Sequence, residues 1–132
     1  MKTSGVVDTL KKASQGMLFP SETDAPFEAF EWPGEKGKPE KARVVELAGL
    51  PASTPVKVKS LDAFFKNTTQ EQDWHDDEEK AEVAKFKQLV QAIKDTLADV
   101  KVFQAGKIES QVFIVGRTDS GWAGLNTKVV ET

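Results

Sequence analysis

Apolar residues near the start of the chain recur at spacings of three and four. Val6, Val7, Leu10, Ala13 and Met17 follow Ser4, with Gly16 placed to stop a helix, so a short amphipathic helix is expected there. The strongest helical signal lies between Asp76 and Asp99. Val83, Phe86, Val90, Ile93 and Leu97 alternate spacings of three and four, Ala84, Leu89 and Ala92 widen the stripe, and neither Gly nor Pro interrupts it. Four acids, Asp76, Asp77, Glu78 and Glu79, stand at its start, where the helix dipole favours each exposed anion by ~0.3–1 kcal/mol. Ser60 is placed to cap a brief helix through Leu61, Phe64 and Phe65.

Strand-like patterns fill much of the rest. Residues 27–32 are short, aromatic and bounded by Pro26 and Pro33-Gly34, and residues 56–59 alternate Val with Lys as a half-buried strand would. A second strand is expected near 43–47, after an exposed turn over 34–41, while 18–26 and 48–55 read as loops. The last third predicts three strands, over 100–103, 111–117 and 122–130, with turns at Ala105-Gly106-Lys107 and Asp119-Ser120-Gly121. Gln111-Val112-Phe113-Ile114-Val115 is nearly continuous apolar sequence, as a central strand covered on both faces requires. Helices early and in the middle with strands grouped at the end indicate an α+β sheet rather than βαβ repeats, and one domain over residues 1–132 accounts for the chain.

Composition narrows the chemistry. The 132 residues include no Cys and one His, His75. Thiolate nucleophiles, disulfides, the usual structural zinc sites and a His pair for zinc are therefore excluded. The net charge of −3 and pI of 5.3 argue against a direct nucleic-acid binder. The charges are unevenly distributed. Between residues 13 and 35 stand Glu22, Asp24, Glu28, Glu31 and Glu35 without a base, and between 71 and 79 stand Glu71, Asp73, Asp76, Asp77, Glu78 and Glu79, again without one. The remainder is net basic. Such blocks are commonly solvated faces or helix starts; the sharper reading is an acidic surface aimed at a basic partner. Met1-Lys2-Thr3-Ser4-Gly5 is not followed by an apolar h-region, and no run approaches the ~20 residues needed to span a bilayer, so a cytoplasmic protein without membrane contact is expected.

Carboxylates are the only abundant reactive groups. A glycosidase-like pair, or oxygen ligation of a hard cation by residues 73–79, is conceivable, but the run lacks the Gly and the alternating Asp/Asn spacing of an EF-hand loop. Gly121-Trp122-Ala123-Gly124 lacks a phosphate-cradle spacing. No enzyme activity, cofactor or metal site of its own is expected. Binding has more support: Trp74 sits between Asp73 and His75, where a large apolar side chain either packs on the core or offers an interface anchor within an acidic collar. Glu22 has its own plain reading as a loop acid. Val129-Val130-Glu131-Thr132 follows directly on a β-like run, which would hold the terminal carboxylate in place as a third anionic element.

The chain resembles the nuclease A inhibitor family, small intracellular inhibitors of a sugar-non-specific endonuclease of the ββα-metal class. The resemblance rests on Leu10-Lys11-Lys12-Ala13-Ser14-Gln15-Gly16-Met17-Leu18-Phe19, Ser21-Glu22 and Pro26-Phe27-Glu28. It continues through Gln72-Asp73-Trp74, Asp77-Glu78-Glu79 and Val83-Ala84-Lys85-Phe86 to Thr127-Lys128-Val129-Val130-Glu131-Thr132. Residues 33–56 carry no matching stretch. The resemblance implies a three-layer α-β-α sandwich similar to the plant pathogenesis-related proteins of group one. It further implies a one-to-one complex with the nuclease, Glu22 and the Thr132 carboxylate directed at the partner's active site and Mg²⁺, and Asp73 and Trp74 contributing to the contact. A protein-interaction module of the same fold with a different partner is the alternative.

Overall fold

The computed structural model describes residues 2–19, 24–66, 68–70, 74, 76–107, 109–119 and 121–130. In chain order these form α1 (Lys2–Ser14), β1 (Leu18–Phe19), β2 (Ala25–Pro26), β3 (Glu28–Pro33) and α2 (Lys41–Leu47). There follow β4 (Val56–Lys59), α3 (Leu61–Phe64), α4 (Asp77–Thr96), β5 (Ala98–Ala105), β6 (Glu109–Thr118) and β7 (Gly121–Val130). β1 and β2 pair as a small antiparallel hairpin, and the other five strands form one sheet in the order β3-β7-β6-β5-β4 with every neighbour antiparallel. The fold is α+β.

The pleat of the central strands divides the core in two. Val112 and Ile114 of β6 join Val102, Ala123, Leu125 and Val129 in a cluster with Leu10 of α1 and Phe86, Leu89, Val90 and Ile93 of α4. The alternate positions Phe113 and Val115 join Phe103, Trp122 and Val44 of α2 in a second cluster. Successive strand residues point to opposite faces, so α1 and α4 cover one face of the sheet and α2 the other. Both faces of β6 are thereby buried, as its nearly unbroken apolar sequence requires.

α4 carries the stripe expected of it, with Val83, Phe86, Leu89, Val90 and Ile93 buried. It ends at Thr96 because Leu97 is already extended and leads straight into β5. β4 forms where the Val/Lys alternation predicts, but it is the edge of the sheet, and Val58 is half exposed instead of buried.

Two expectations are corrected. Residues 18–26, read as a loop, contain the β1–β2 hairpin, with Phe19 and Ala25 turned into the protein. Residues 43–47, read as a strand, lie within α2. Val44 and Val45 are both buried on the helix, and the helix closes with a Schellman motif: Gly49 N–H donates to the Glu46 carbonyl at 3.1 Å and Leu50 N–H to the Val45 carbonyl at 3.0 Å. Gly49 takes the positive φ of +73° that this ending needs. Burial and a stable C-terminal cap outweigh the weak strand preference of two β-branched residues.

The chain before α2 is tied back by polar contacts. Trp122 Nε1–H donates to the Gly37 carbonyl at 2.9 Å, and Arg43 holds both carboxylate oxygens of Glu35, at 2.7 and 2.8 Å, while also reaching Glu46. The hydrogen bond from Arg43, helped by its charge and opposed by desolvation, holds the Glu35 carboxyl below the usual carboxylate range. A carboxyl that ionises more readily in the folded than in the unfolded chain contributes stability above its ordinary range and loses it as the pH falls through the folded-state value. Arg43→Met is therefore expected to flatten part of the acid limb of the stability curve in urea titrations at stepped pH; an unchanged limb would remove the clamp from the account.

Close strand packing makes a second expectation. A Cβ on Gly124 would lie 1.6 Å from the Ile114 carbonyl oxygen, in the backbone of the neighbouring strand, whereas a Cβ on Gly5 in α1 would meet nothing within 4 Å. Gly124→Ala should cost about 2 kcal/mol or more, because β6 and β7 must separate. Gly5→Ala should add about 0.5–1 kcal/mol through helix propensity. Urea midpoints moving in opposite directions would check both, and a neutral Gly124→Ala would contradict the packing described.

Candidate functional site

One end of the sheet gathers the three chain segments that the sequence reading singles out. The first is the β1–β2 hairpin, whose connecting residues include Glu22. Phe19 and Ala25, paired across the hairpin, are both buried, and the Thr127 hydroxyl of β7 donates to the Ala25 carbonyl at 3.4 Å. The hairpin is therefore fastened to the last turns of the sheet.

The second segment runs from α3 to α4 and contains Asp73 and Trp74. Ser60 Oγ accepts from Ala63 N–H at 3.1 Å and caps α3 as expected. α3 delivers Phe64 and Phe65 to the hairpin: Phe19 stacks on Phe64 at 4.5 Å and 11° and meets Phe65 edge-on at 5.9 Å. Phe27 and Phe86 complete the cluster, 6.2 and 6.1 Å from Phe65. Just beyond, the Phe65 carbonyl accepts the backbone N–H groups of Thr68 and Thr69, at 3.1 and 3.0 Å, and both their hydroxyls, at 2.9 and 2.8 Å. The far end of the segment is fixed by a capping box on α4, in which Glu79 N–H donates to the Asp76 carboxylate at 2.8 Å and Asp76 N–H to the Glu79 carboxylate at 3.2 Å. The segment is thus anchored before and after Trp74.

The third segment is the end of β7. Val129 is buried and pairs with Ser110, and Val130 pairs with Glu109, so the chain stays paired with β6 up to two residues from Thr132, while its pairing with β3 ends at Asn126.

Of the four sequence-derived site residues, Trp74 is described. It is 73% exposed, which decides against packing on the core. Glu22, Asp73 and Thr132 lie outside the described residues, as does His75. The remaining acids divide by role. Asp76 and Glu79 serve the helix start, in agreement with the dipole reading, and Glu35 is neutralised by Arg43. Asp24 and Glu28 are exposed. The charge runs are therefore only partly available to a partner, and Glu35 in particular is spoken for within the fold. Among the described residues no three His, Asp or Glu side chains come together to hold a metal ion, and no helix is long and apolar enough to cross a membrane.

A family profile described as nuclease A inhibitor-like protein matches residues 4–132, including the stretch over 33–56 for which residue reading found no counterpart. The chain belongs to the nuclease A inhibitor-like family. A comparison with curated proteins finds no match. In this nuclease A inhibitor-like chain, sequence reading missed the residues that assemble the site end: Phe19, Phe27 and Thr127. The available signal was the clustering of Phe19, Phe27, Phe64 and Phe65 on either side of segments rich in Pro, Ser and Thr, but aromatic residues this far apart in sequence reveal their contact only once the sheet exists.

Phe64→Ala should cost about 3 kcal/mol by opening a cavity between hairpin and α3. Hydrogen exchange is expected to rise most in residues 18–26 and 61–70. Uniform acceleration across the whole sheet would show that the aromatic cluster has no special hold on the site end.

Proposed function

We propose that the chain is a proteinaceous inhibitor of a sugar-non-specific endonuclease of the ββα-metal class, bound one to one. The fold it uses is a three-layer α-β-α sandwich like that of the plant group-one pathogenesis-related proteins. Helix cover on both faces of the sheet supports that description of the architecture. Glu22 and the Thr132 carboxylate are directed at the partner's Mg²⁺ site, and Asp73 and Trp74 anchor the contact.

The observation that carries this reading is Trp74. A tryptophan 73% exposed, next to an acid in the sequence and between two anchored points, is of the residue type most enriched among interface hot spots. The family name supplies the kind of partner, a nuclease. An enzyme that grips phosphates presents Arg, Lys and a divalent cation, and fixed carboxylates complement that surface while offering no scissile bond. Inhibition then requires no catalysis by this chain.

Titration of purified nuclease A in a DNA-degradation assay tests the reading. Activity is expected to fall to zero at one equivalent. Glu22→Ala should weaken inhibition by at least ~2 kcal/mol, about thirtyfold, and a short tag appended after Thr132 should weaken it as well. Wild-type potency in both would remove the carboxylates from the mechanism, and undiminished nuclease activity would overturn the proposal.

A further inference from the structure

The five-stranded sheet has two edges, β3 and β4. β3 ends in Pro33, which has no backbone N–H to offer a further strand. β4 has no such stop. Its four residues pair in unbroken register with β5, and among the described residues with β5 alone, so its outer side is open to another strand.

Side chains alternate along this edge. Val56 and Val58 pair with Ala105 and Phe103 and lie on the α2 face of the sheet, whereas Lys57 and Lys59 pair with Gln104 and Val102 and lie on the α4 face. Val58 is 49% exposed, and Val56 lines a groove of 460 Å³ with Val45, Leu50 and Ala52. The lysine face is not simply solvated. Lys59 is half-buried and its Nζ donates to Gln104 Oε1 at 2.9 Å, while Gln104 Nε2 donates to Ser110 Oγ at 3.4 Å. Gln104 and Ser110 are both buried. A buried polar pair beside an apolar core thus holds one ammonium group inward against the edge, where it cannot swing away from an approaching strand.

We infer that β4 is a self-pairing edge held open by the charges of Lys57 and Lys59, and that without them two copies of this chain join through it into one continuous sheet. This is independent of the nuclease reading. Geometry selects the second copy as occupant. A two-fold axis perpendicular to the sheet sets β4 antiparallel to β4 of the second copy and keeps each face continuous. Residues directly opposite then share a face, and the registers that pair most of the strand are centred on Lys57 or on Val58. In the first, Val58 stands opposite Val56 of the second copy, the residue that lines the groove, and Lys57 stands opposite Lys57; in the second, Val58 meets Val58 and Lys57 meets Lys59. Valines face valines and lysines face lysines in both. Like charges directly opposite destabilise a strand pair, so the residues that would join the copies and those that keep them apart alternate on one strand.

Sedimentation equilibrium of the full chain tests this for wild type, Lys57→Thr/Lys59→Thr, Lys57→Glu/Lys59→Glu and an equimolar mixture of wild type with the charge-reversed double variant, each checked for fold by circular dichroism. Wild type and the charge-reversed variant alone should be monomeric, the mixture should form a heterodimer, and the neutral variant should self-associate at least about tenfold more tightly than wild type. Lys57→Glu alone leaves the bond from Lys59 to Gln104 intact, and so covers the case in which the double variants fail to fold. It should pair with itself if the register centres on Val58 and with wild type if it centres on Lys57. Each association should protect residues 56–59 from hydrogen exchange and be abolished by adding Val58→Asp. Folded neutral and charge-reversed variants that stay monomeric alone and in mixture overturn the inference, as does wild type that dimerises through β4. Association that survives Val58→Asp, or that leaves residues 56–59 unprotected, belongs to another surface and also overturns it.

Discussion

The contact of Phe19 with Phe64 and Phe65 is the constraint on which the site end depends. Neither the two-residue strands of the β1–β2 hairpin nor the four-residue helix α3 could persist alone, since isolated short hairpins and single helical turns are unstable in water. Each becomes fixed by burying an aromatic ring against the other and against Phe27 and Phe86. The cluster joins a segment near the start of the chain to one in its middle, and Thr127 ties the hairpin to the last strand. The hairpin and α3, far apart in sequence, are therefore held together against the sheet.

Charge follows a division of labour that net values conceal. Part of the acidity is structural: Asp76 and Glu79 close the start of α4, and Glu35 is consumed by the Arg43 clamp that holds the segment before α2. Asp24 and Glu28 beside the hairpin and Asp77 and Glu78 at the start of α4 remain exposed. The lysines of α1 lie at the side of that surface, so it is patterned in sign instead of uniformly negative. Such patterning favours one docking orientation and suppresses others more than it adds raw affinity.

Most of the fold was legible because periodicity and burial agree. The stripe of α4, the cap at Ser60, the apolar run of β6 and the turns around Gly106 and Gly121 each report a local condition that the structure satisfies locally. The two failures have a common cause. Residues 43–47 were expected to be a strand, but the decisive interactions are burial of Val44 with Phe103, Phe113 and Trp122, far away in sequence, and the clamp from Arg43 to Glu35, eight residues back. Gly49 carried the corrective signal, a helix stop after Leu47. The hairpin at 18–26 was hidden in the same way: its pairing is too short to show alternation, and its stability comes from Phe64 and Phe65. Of the site, Trp74 was legible as an apolar residue among acids, while its exposure required the anchors at Phe65 and Asp76 to be seen in place.

The central claim is that hairpin, inter-helix segment and chain end act as one binding surface. Hydrogen exchange of the chain with and without an equivalent of nuclease A tests it most directly. Protection appearing together in residues 17–27, 66–79 and 125–132, with α2 and β4 unaffected, is the predicted result; protection confined to α2 or the β4 edge, or to one of the three segments alone, would contradict it.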